Sequence, residues 1–160
     1  METFDAIRTA LAVRHFKDTP IPEPIVRQIV EAGRLTASGG NRQPWHFIVV
    51  RDKETLRQLG QLAPTGPYIP QAPLAIVVAM DRSPLAISDG SRAIQDMILA
   101  AWSQGVGSNW VGYNNLPEVN PLLGIPEEVS VLAIHLFDYP AEAIGKGPKK
   151  RKASGRGCLS

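Results

Sequence analysis

Polar side chains crowd the stretch SGGNRQPWHFIVV, which runs from Ser38 to Val50. Its second half, HFIVV, is an apolar, β-branched and aromatic run that predicts a buried strand. Turn chemistry explains the glycines and the proline of the first half. It does not explain a tryptophan, Trp45, beside the hydrogen-bonding side chains of Asn41, Arg42 and Gln43. The pattern indicates a binding loop at the mouth of a core strand.

Basic residues are distributed unevenly along the chain. Residues 145–160 hold six basic residues and no acid, whereas the rest of the chain has 11 basic and 15 acidic residues. A solvated end, a nucleic-acid contact and an internal phosphate site would each explain such a run. The chain has no aromatic-rich basic motif, so nucleic acid is not an expected partner. Arg14, just after the first predicted helix, is a further candidate for binding an anion.

Other chemistries find little support in the residue pattern. His15, His46 and His135 are far apart, and none has a second ligand three or four positions away, so no metal site is predicted. His46 and His135 fall inside strand patterns, where satisfied core or surface histidines are expected. The chain lacks GxSxG, and Cys158 lies close to the end, so no catalytic nucleophile is predicted.

The stretch GVGSNWVG, from Gly105 to Gly112, contains three glycines. A dinucleotide-binding glycine loop follows a strand and opens a helix, whereas these glycines follow a predicted helix. The pattern indicates a helix end and turn, in which glycines would also let a flat ligand approach the backbone. Residues 105–112 would then form a glycine-rich wall of a binding site. Together with Arg14, Asn41 and Gln43, this glycine wall would fit a flat heterocycle that carries a phosphorylated chain.

The apolar periodicity predicts alternating helices and strands in one domain of 160 residues. This alternation is typical of the α/β or α+β class. Helices are predicted over 3–12, 24–33, 53–62 and from Ser88 or Asp89 to Gly105, and strands over 46–51, 74–80 and 129–137, with a further extended segment after Gly105.

The composition and the N-terminal pattern also indicate where in the cell the protein is expected. No stretch approaches the ~18 apolar residues that would span a bilayer, so no membrane partner is expected. The N-terminal stretch is amphipathic and carries acids, unlike a signal peptide, and the single cysteine cannot form an internal disulfide. The expected location is the cytoplasm.

Four stretches carry a resemblance to a known family. The run AVRHFKDTPIPEPIVRQIVEAGRLTASGGNRQPWHFIVV resembles the N-terminal half of the flavin-dependent nitroreductases, whose pattern includes Pro-Ser-x-x-Asn-x-Gln-Pro-Trp before a strand. ILAAWSQGVGSNWVG resembles the central helix and following turn of that family. LGIPEEVSVLAIHLFDYPAE and GPKKRK resemble its last core strand and its phosphate-binding Lys-x-Arg. The likeness covers about residues 4–152.

The resemblance implies an α+β fold with a central, mostly antiparallel sheet flanked by helices. It implies an intertwined homodimer with two FMN molecules at the interface, built from residues 1–152, with residues 153–160 as a short flexible basic tail. Electrons would pass by a ping-pong mechanism from NADH or NADPH to FMN and then to a small-molecule acceptor, such as a nitroaromatic or a quinone. Alternatives are a specialised branch, such as flavin breakdown or enone reduction, and a flavin-binding or ligand-binding protein of this fold without catalysis.

The resemblance also assigns roles to residues, none of them catalytic, because the flavin carries the redox chemistry. Ser38, Gly39 and Asn41 would lie against the ring or ribityl chain of the partner's cofactor, while Gln43 with Pro44 and Trp45 would brace that loop. The expected cofactor-binding residues are Arg14, Ser38, Gly39, Asn41, Gln43, Trp110, Gly112, Lys149 and Arg151, with Arg14, Lys149 and Arg151 meeting the phosphate.

The chain departs from the family pattern at several positions, including Ala37 in place of the usual proline before Ser38. Ala10, Leu11 and Ala12 stand where basic residues are usual, so that only Arg14 of that cluster remains. Asp138 stands where a glycine precedes Tyr-Pro, which would put a carboxylate near the expected path of the phosphate or flavin.

The predicted central helix is apolar on more than one side, which indicates burial against a second subunit. Residues Ile94, Met97, Ile98 and Ala101 are the predicted dimer surface, with the first helix beside them through Phe4, Ile7 and Leu11.

Overall fold

A four-stranded sheet forms the centre of the computed structural model, which describes residues 1–112, 116–142 and 149–151. The strands are β1 (Trp45–Val50), β2 (Leu74–Asp81), β3 (Gly107–Val111) and β4 (Val129–Asp138). Their order is β1-β2-β4-β3, and every neighbouring pair is antiparallel. The predicted α+β fold with an antiparallel sheet is confirmed.

Helices cover both faces of this sheet. They are α1 (Thr3–Thr9), α2 (Glu23–Arg34), α3 (Lys53–Leu62), α4 (Ala86–Ser103) and α5 (Val119–Leu123), with short 3-10 turns at Gly39–Asn41 and Ile69–Gln71. The helices α2 and α4 pack together over one face, and α3 lies over the other. Among the described residues, no helix is long and apolar enough to cross a membrane.

The strand β2 shows why the sheet sits between two apolar layers. Leu74, Ile76, Val78 and Met80 point to the layer under α2 and α4, and the alternating residues Ala75, Val77 and Ala79 point to the other layer. A strand with both faces covered reads as a continuous apolar run, because successive side chains point to opposite faces.

Local signals place most helix ends as predicted. Pro24 lies in the first turn of α2, where its missing N–H leaves no helical hydrogen bond unmade. The carboxylate of Asp52 accepts a hydrogen bond from the Thr55 backbone N–H at 2.8 Å and caps α3. Gly105 follows α4 with a φ of 77°, a left-handed conformation that suits glycine at a helix end.

The first helix differs from the prediction in length and burial. It ends at Thr9, and Ala12 instead forms a parallel bridge with Ser108 beside β3. Phe4, Ile7 and Leu11 are 72%, 47% and 37% exposed, so the predicted buried face of this helix is uncovered in the single chain.

The central helix α4 also corrects the sequence-based prediction of a dimer surface. Ile94, Met97 and Ala101 are fully buried against the chain's own sheet, and only Ile98 is partly exposed. Assigning those three residues to an interface was wrong, because α2 and the four strands supply enough apolar surface to cover them. Residues 153–160, the predicted tail, lie outside the described residues, as does Cys158.

Candidate functional site

The loop between α2 and β1 has an unusual backbone. Gly40, Asn41 and Gln43 have φ values of 59°, 55° and 50°, all in the left-handed region. Glycine adopts this conformation freely and asparagine tolerates it, but a residue such as Gln43 does so at a cost of about 1 to 3 kcal/mol. Surrounding contacts must therefore hold the loop in this shape.

Hydrogen bonds within the loop and to α4 supply that constraint. The Ser38 hydroxyl accepts from the Gln43 backbone N–H at 2.9 Å, and the Gln43 side-chain amide donates to the Asn41 carbonyl at 3.4 Å. The backbone N–H of Gly39 donates to both carboxylate oxygens of Asp89 on α4, each at 3.2 Å. Sequence reasoning missed Asp89, because SDGS gives no sign of a contact 50 positions earlier in the chain.

The exposed polar residues of this loop are followed directly by buried residues at the start of β1. Asn41 and Gln43 are exposed, while Ser38 and Gly39 are half-buried. Trp45 is 9% exposed and packs in the core under α2 and α4. The Pro44 carbonyl accepts from the Asp81 N–H at 2.8 Å. Trp45 braces the loop from within the core, as expected, and the polar groups are presented to solvent.

A second grouping of candidate residues forms around the segment that carries Arg14. The Val13 N–H donates to the Ser108 carbonyl, and the Asn109 side-chain amide donates to the Val13 carbonyl, both at 2.9 Å. A Cβ at Gly107 would overlap the Val13 side chain, so glycine permits this close approach. This contact corrects one part of the predicted glycine wall, because Val13 occupies the space beside Gly107. Arg14 itself is exposed.

Asp138 secures the same segment instead of facing a cofactor. Its carboxylate accepts from the Asp18 N–H at 2.7 Å and from the Tyr139 N–H at 2.6 Å, and the residue is fully buried. Burial raises the pKa of Asp138, and the backbone N–H groups that it accepts from oppose that rise. The expectation of a carboxylate in the path of an anion is therefore wrong.

One of the basic residues near the C-terminus, Lys149, contacts the first helix. Lys149 Nζ donates to the Ile7 carbonyl at 2.6 Å, in the last turn of α1. Burial, and then the cation of Arg151, lower the pKa of Lys149. Arg151 is exposed. Lys149 thus contacts the helix that leads to Arg14. Arg14, Lys149 and Arg151, the three predicted phosphate contacts, are called the basic group.

Trp110 and Gly112 form a rigid corner at the end of β3. Trp110 Nε1 donates to the Gly112 carbonyl at 2.8 Å, and the Gly112 N–H donates to the Thr65 hydroxyl at 3.2 Å. Gly112 has a φ of 65°, so a side chain there would be strained. The half-buried indole of Trp110 packs edge-on against the His135 ring, with centroids 6.2 Å apart.

The two strand histidines behave differently. His46 pairs with Asp81 on the surface at 2.8 Å, as expected of a satisfied histidine. His135 is 1% exposed, and neither ring nitrogen has a hydrogen-bond partner among the described residues. Burial lowers the pKa of His135 from 6.5 to about 3, which keeps the ring neutral. The expectation of a satisfied histidine is wrong at this position.

Apart from Trp110 and Gly112, the candidate residues fall into two groups, the loop at 38–43 and the basic group of Arg14, Lys149 and Arg151. Contacts of the loop at 38–43 run within the loop and to α4, whereas Lys149 contacts α1 and the segment that carries Arg14 contacts β3 through Val13. One group offers backbone and amide donors and acceptors, and the other offers three cations. Within residues 1–112, 116–142 and 149–151, no cluster of histidine, cysteine or acidic residues could hold a metal ion.

Comparisons with known proteins place this chain among related sequences and structures. A model of the nitroreductase family matches residues 7–83 and 65–136. A Methanothermobacter thermautotrophicus protein, provisionally named NADH dehydrogenase/NAD(P)H nitroreductase, is 34% identical over 91% of this chain and 81% of its own length.

Two solved structures are similar over nearly the whole chain. A protein of Bacteroides thetaiotaomicron with the same provisional name has a TM-score of 0.89 at 28% identity, covering 99% of this chain and 96% of its own. A Desulfovibrio desulfuricans protein, provisionally named a nitroreductase and solved in complex with FMN, has a TM-score of 0.86 at 25% identity, covering 100% and 96% of the two chains.

Proposed function

Because this chain belongs to the nitroreductase family, as its sequence resemblance predicted, we propose that it is an FMN-dependent oxidoreductase. It would take electrons from NADH or NADPH and pass them, by a ping-pong mechanism, to a nitroaromatic, a quinone or a similar small acceptor. The observation that carries this proposal is the loop at 38–43, whose left-handed backbone presents polar groups to solvent while Asp89 holds it from below.

The basic group fits the phosphate end of FMN. Guanidinium and ammonium groups pair with phosphate oxygens through charge-assisted hydrogen bonds. Arg14 and Arg151 are exposed, and Lys149 lies close enough to Arg151 for the two cations to repel each other. A phosphate dianion placed among them would relieve that repulsion. The three side chains would bind and orient this end of the cofactor.

The loop and the corner at β3 fit a flat ring. Ser38, Gly39 and Asn41 present small side chains and hydrogen-bonding groups, and Trp110 with Gly112 forms a rigid edge. Bound FMN would supply the redox chemistry between donor and acceptor. The protein residues would hold the ring, exclude water from one side of it and satisfy its polar edge, so the chain needs no catalytic acid or base.

A homodimer is part of this proposal. The two groups lie on different elements of one chain, and a site that uses both is readily built from two subunits. Phe4 and Ile7 on α1 leave large apolar side chains exposed in the single chain, and soluble monomers rarely keep extensive apolar patches uncovered. The division into a domain of residues 1–152 and a tail stays a prediction, as does the cytoplasmic location.

Two measurements test the function directly. The purified protein should be yellow, or should become so when the colourless form is titrated with FMN. Steady-state assays with NADH and NADPH against nitroaromatic and quinone acceptors should then show flavin-dependent oxidation of one nucleotide. Failure to bind FMN would contradict the proposal. FMN binding without oxidation of either nucleotide would support the alternative of a flavin-binding protein, and turnover of other acceptors only would indicate a specialised branch.

A further inference from the structure

Asp89, a buried carboxylate on α4, contacts the backbone of the loop at 38–43. We propose that Asp89 is a positioning residue, which fixes the shape of that loop and thereby sets the affinity of the protein for its flavin. This inference rests on the proposed function for its effect on flavin. The contact itself is a property of the free chain.

The geometry of the contact is specific. Both carboxylate oxygens of Asp89 lie 3.2 Å from the Gly39 backbone nitrogen, and the Asp89 side chain is 2% exposed. A buried carboxylate is costly unless it is paired and hydrogen-bonded. Among the described residues, the N–H of Gly39 is one of two partners of this carboxylate, so departure of the loop would remove one of the hydrogen bonds that stabilise the buried charge.

Arg92 is the other partner. It lies one turn further along α4 and donates from Nη2 to Asp89 Oδ1. The side chain of Arg92 is half exposed, so its cation balances the buried charge from the solvent side. This arrangement lets α4 keep a carboxylate inside the protein and direct it at the loop. An uncharged acceptor would hold the Gly39 N–H less strongly, since hydrogen bonds to charged groups are the stronger ones.

The loop requires such an anchor because its own backbone is strained. Gly40, Asn41 and Gln43 follow Gly39 within four residues, and all three are left-handed. Strained conformations persist only where the surrounding structure over-determines them. The Ser38 hydroxyl closes the loop upon itself through the Gln43 N–H, but that bond ties the loop to no other element. Asp89 is the link that ties it to α4.

Close packing alone does not fix the loop. A Cβ at Gly39 would overlap Leu85 Cδ1, so the loop approaches the start of α4 closely. Leu85 is 46% exposed, however, and its side chain can move away into solvent. The hydrogen bond to Asp89 is therefore the stronger constraint on the position of Gly39. Ser38 and Asn41, the expected flavin contacts, flank Gly39, and a shift at Gly39 moves both.

The test follows the Gly39 amide by hydrogen exchange in the flavin-free protein, together with the FMN dissociation constant. Asp89→Ala should speed exchange at Gly39 at least ten-fold and weaken FMN binding at least ten-fold. Asp89→Asn keeps one carbonyl acceptor of the same shape and should give intermediate values of both. Glu31→Ala is the matched control, because Glu31 forms an equivalent but exposed pair with Arg34 on α2. It should change neither value.

A purely structural role would change exchange throughout the core instead of at the loop. Amides of Ile29 and Leu59, both fully buried, report that global effect. Faster exchange confined to residues 38–43 supports positioning, whereas equal acceleration at Ile29 and Leu59 overturns it. If Asp89→Ala does not fold, Asp89→Asn carries the test. If the wild-type protein binds no FMN, the proposed function fails. If Gly39 exchange is unchanged in Asp89→Asn, the positioning role of Asp89 is overturned, whether or not FMN binds.

Discussion

Lys149 Nζ donates a hydrogen bond to the Ile7 carbonyl at 2.6 Å, joining residues 142 positions apart in the chain. The bond falls in the last turn of α1, where carbonyl groups lack helical partners and a cation is favoured by the helix dipole. It holds Lys149 against the last turn of α1. Composition alone does not show where the basic run lies. The hydrogen bond places Lys149, which belongs to that run, at the end of α1.

Arg151 is the residue of this run that tests the phosphate site. Arg151→Ala should raise the FMN dissociation constant by one to two decades, because loss of a charged hydrogen-bonding partner costs about 1.5–3 kcal/mol. Lys150→Ala removes the same charge from the neighbouring position and is the control. Isothermal titration of both variants separates a specific contact from general attraction, and equal losses in the two variants would contradict the assignment of Arg151.

His135 should make the protein sensitive to acid. Its pKa in the folded protein is about 3, below the usual 6.5, so the unfolded chain binds more protons between these values. The free energy of unfolding should therefore fall as the pH decreases from 6.5 to 3, by up to about 5 kcal/mol. His135→Leu should remove most of this loss. Urea unfolding at pH 7 and pH 4.5 measures it.

His46→Leu is the control for that experiment, because His46 is an exposed histidine paired with Asp81. It should leave the pH dependence close to that of the wild type. An unchanged acid response in His135→Leu would show that protonation of other groups governs unfolding at low pH.

The exposed apolar side chains of α1 should support dimerisation. Phe4→Asp should shift the protein from dimer to monomer in sedimentation at micromolar concentration, and should weaken FMN binding if the site uses both subunits. The fold should survive, because Phe4 is 72% exposed in the single chain. Leu35→Asp, at a leucine 67% exposed beyond α2, is the control and should remain dimeric. A monomeric wild-type protein that binds FMN would contradict the shared site.

Gly107 should be required for the docking of the Arg14 segment. In Gly107→Ala the new methyl group meets Val13, a buried residue, and Pro140. We expect a loss of about 1–3 kcal/mol in unfolding free energy, typical of overpacking, and weaker FMN binding. Gly105→Ala is an informative comparison. Its φ of 77° causes strain, but no neighbouring atom opposes its methyl group. It should reduce stability with less effect on FMN.

Particular residues show how far the sequence could predict this molecule. The strands β1, β2 and β4 were predicted from continuous apolar runs, and the cap of α3 from Asp52, because both signals are local. The strand β3, GSNWV, has no such run and was predicted only as an extended segment after Gly105. Asp89 was missed because its partner lies far away in sequence. The burial of Ile94 was assigned to a second subunit, since periodicity shows that a face is apolar but not what covers it. The two groups of candidate residues were each expected, whereas their contacts to α1 and α4 required the structure.

The segment that carries Arg14 also has a consequence for the order of folding. Two of its hydrogen bonds are to residues beyond β4. The Lys17 N–H donates to the Tyr139 carbonyl, and the His15 carbonyl accepts from the Ala141 N–H. A ribosome that adds roughly 5–20 residues per second makes those partners about 6 to 25 seconds after the segment itself. During synthesis these two hydrogen bonds therefore form only after β4 has been made. A product that stops before Tyr139 would lack both of these hydrogen bonds and would hold the segment less firmly.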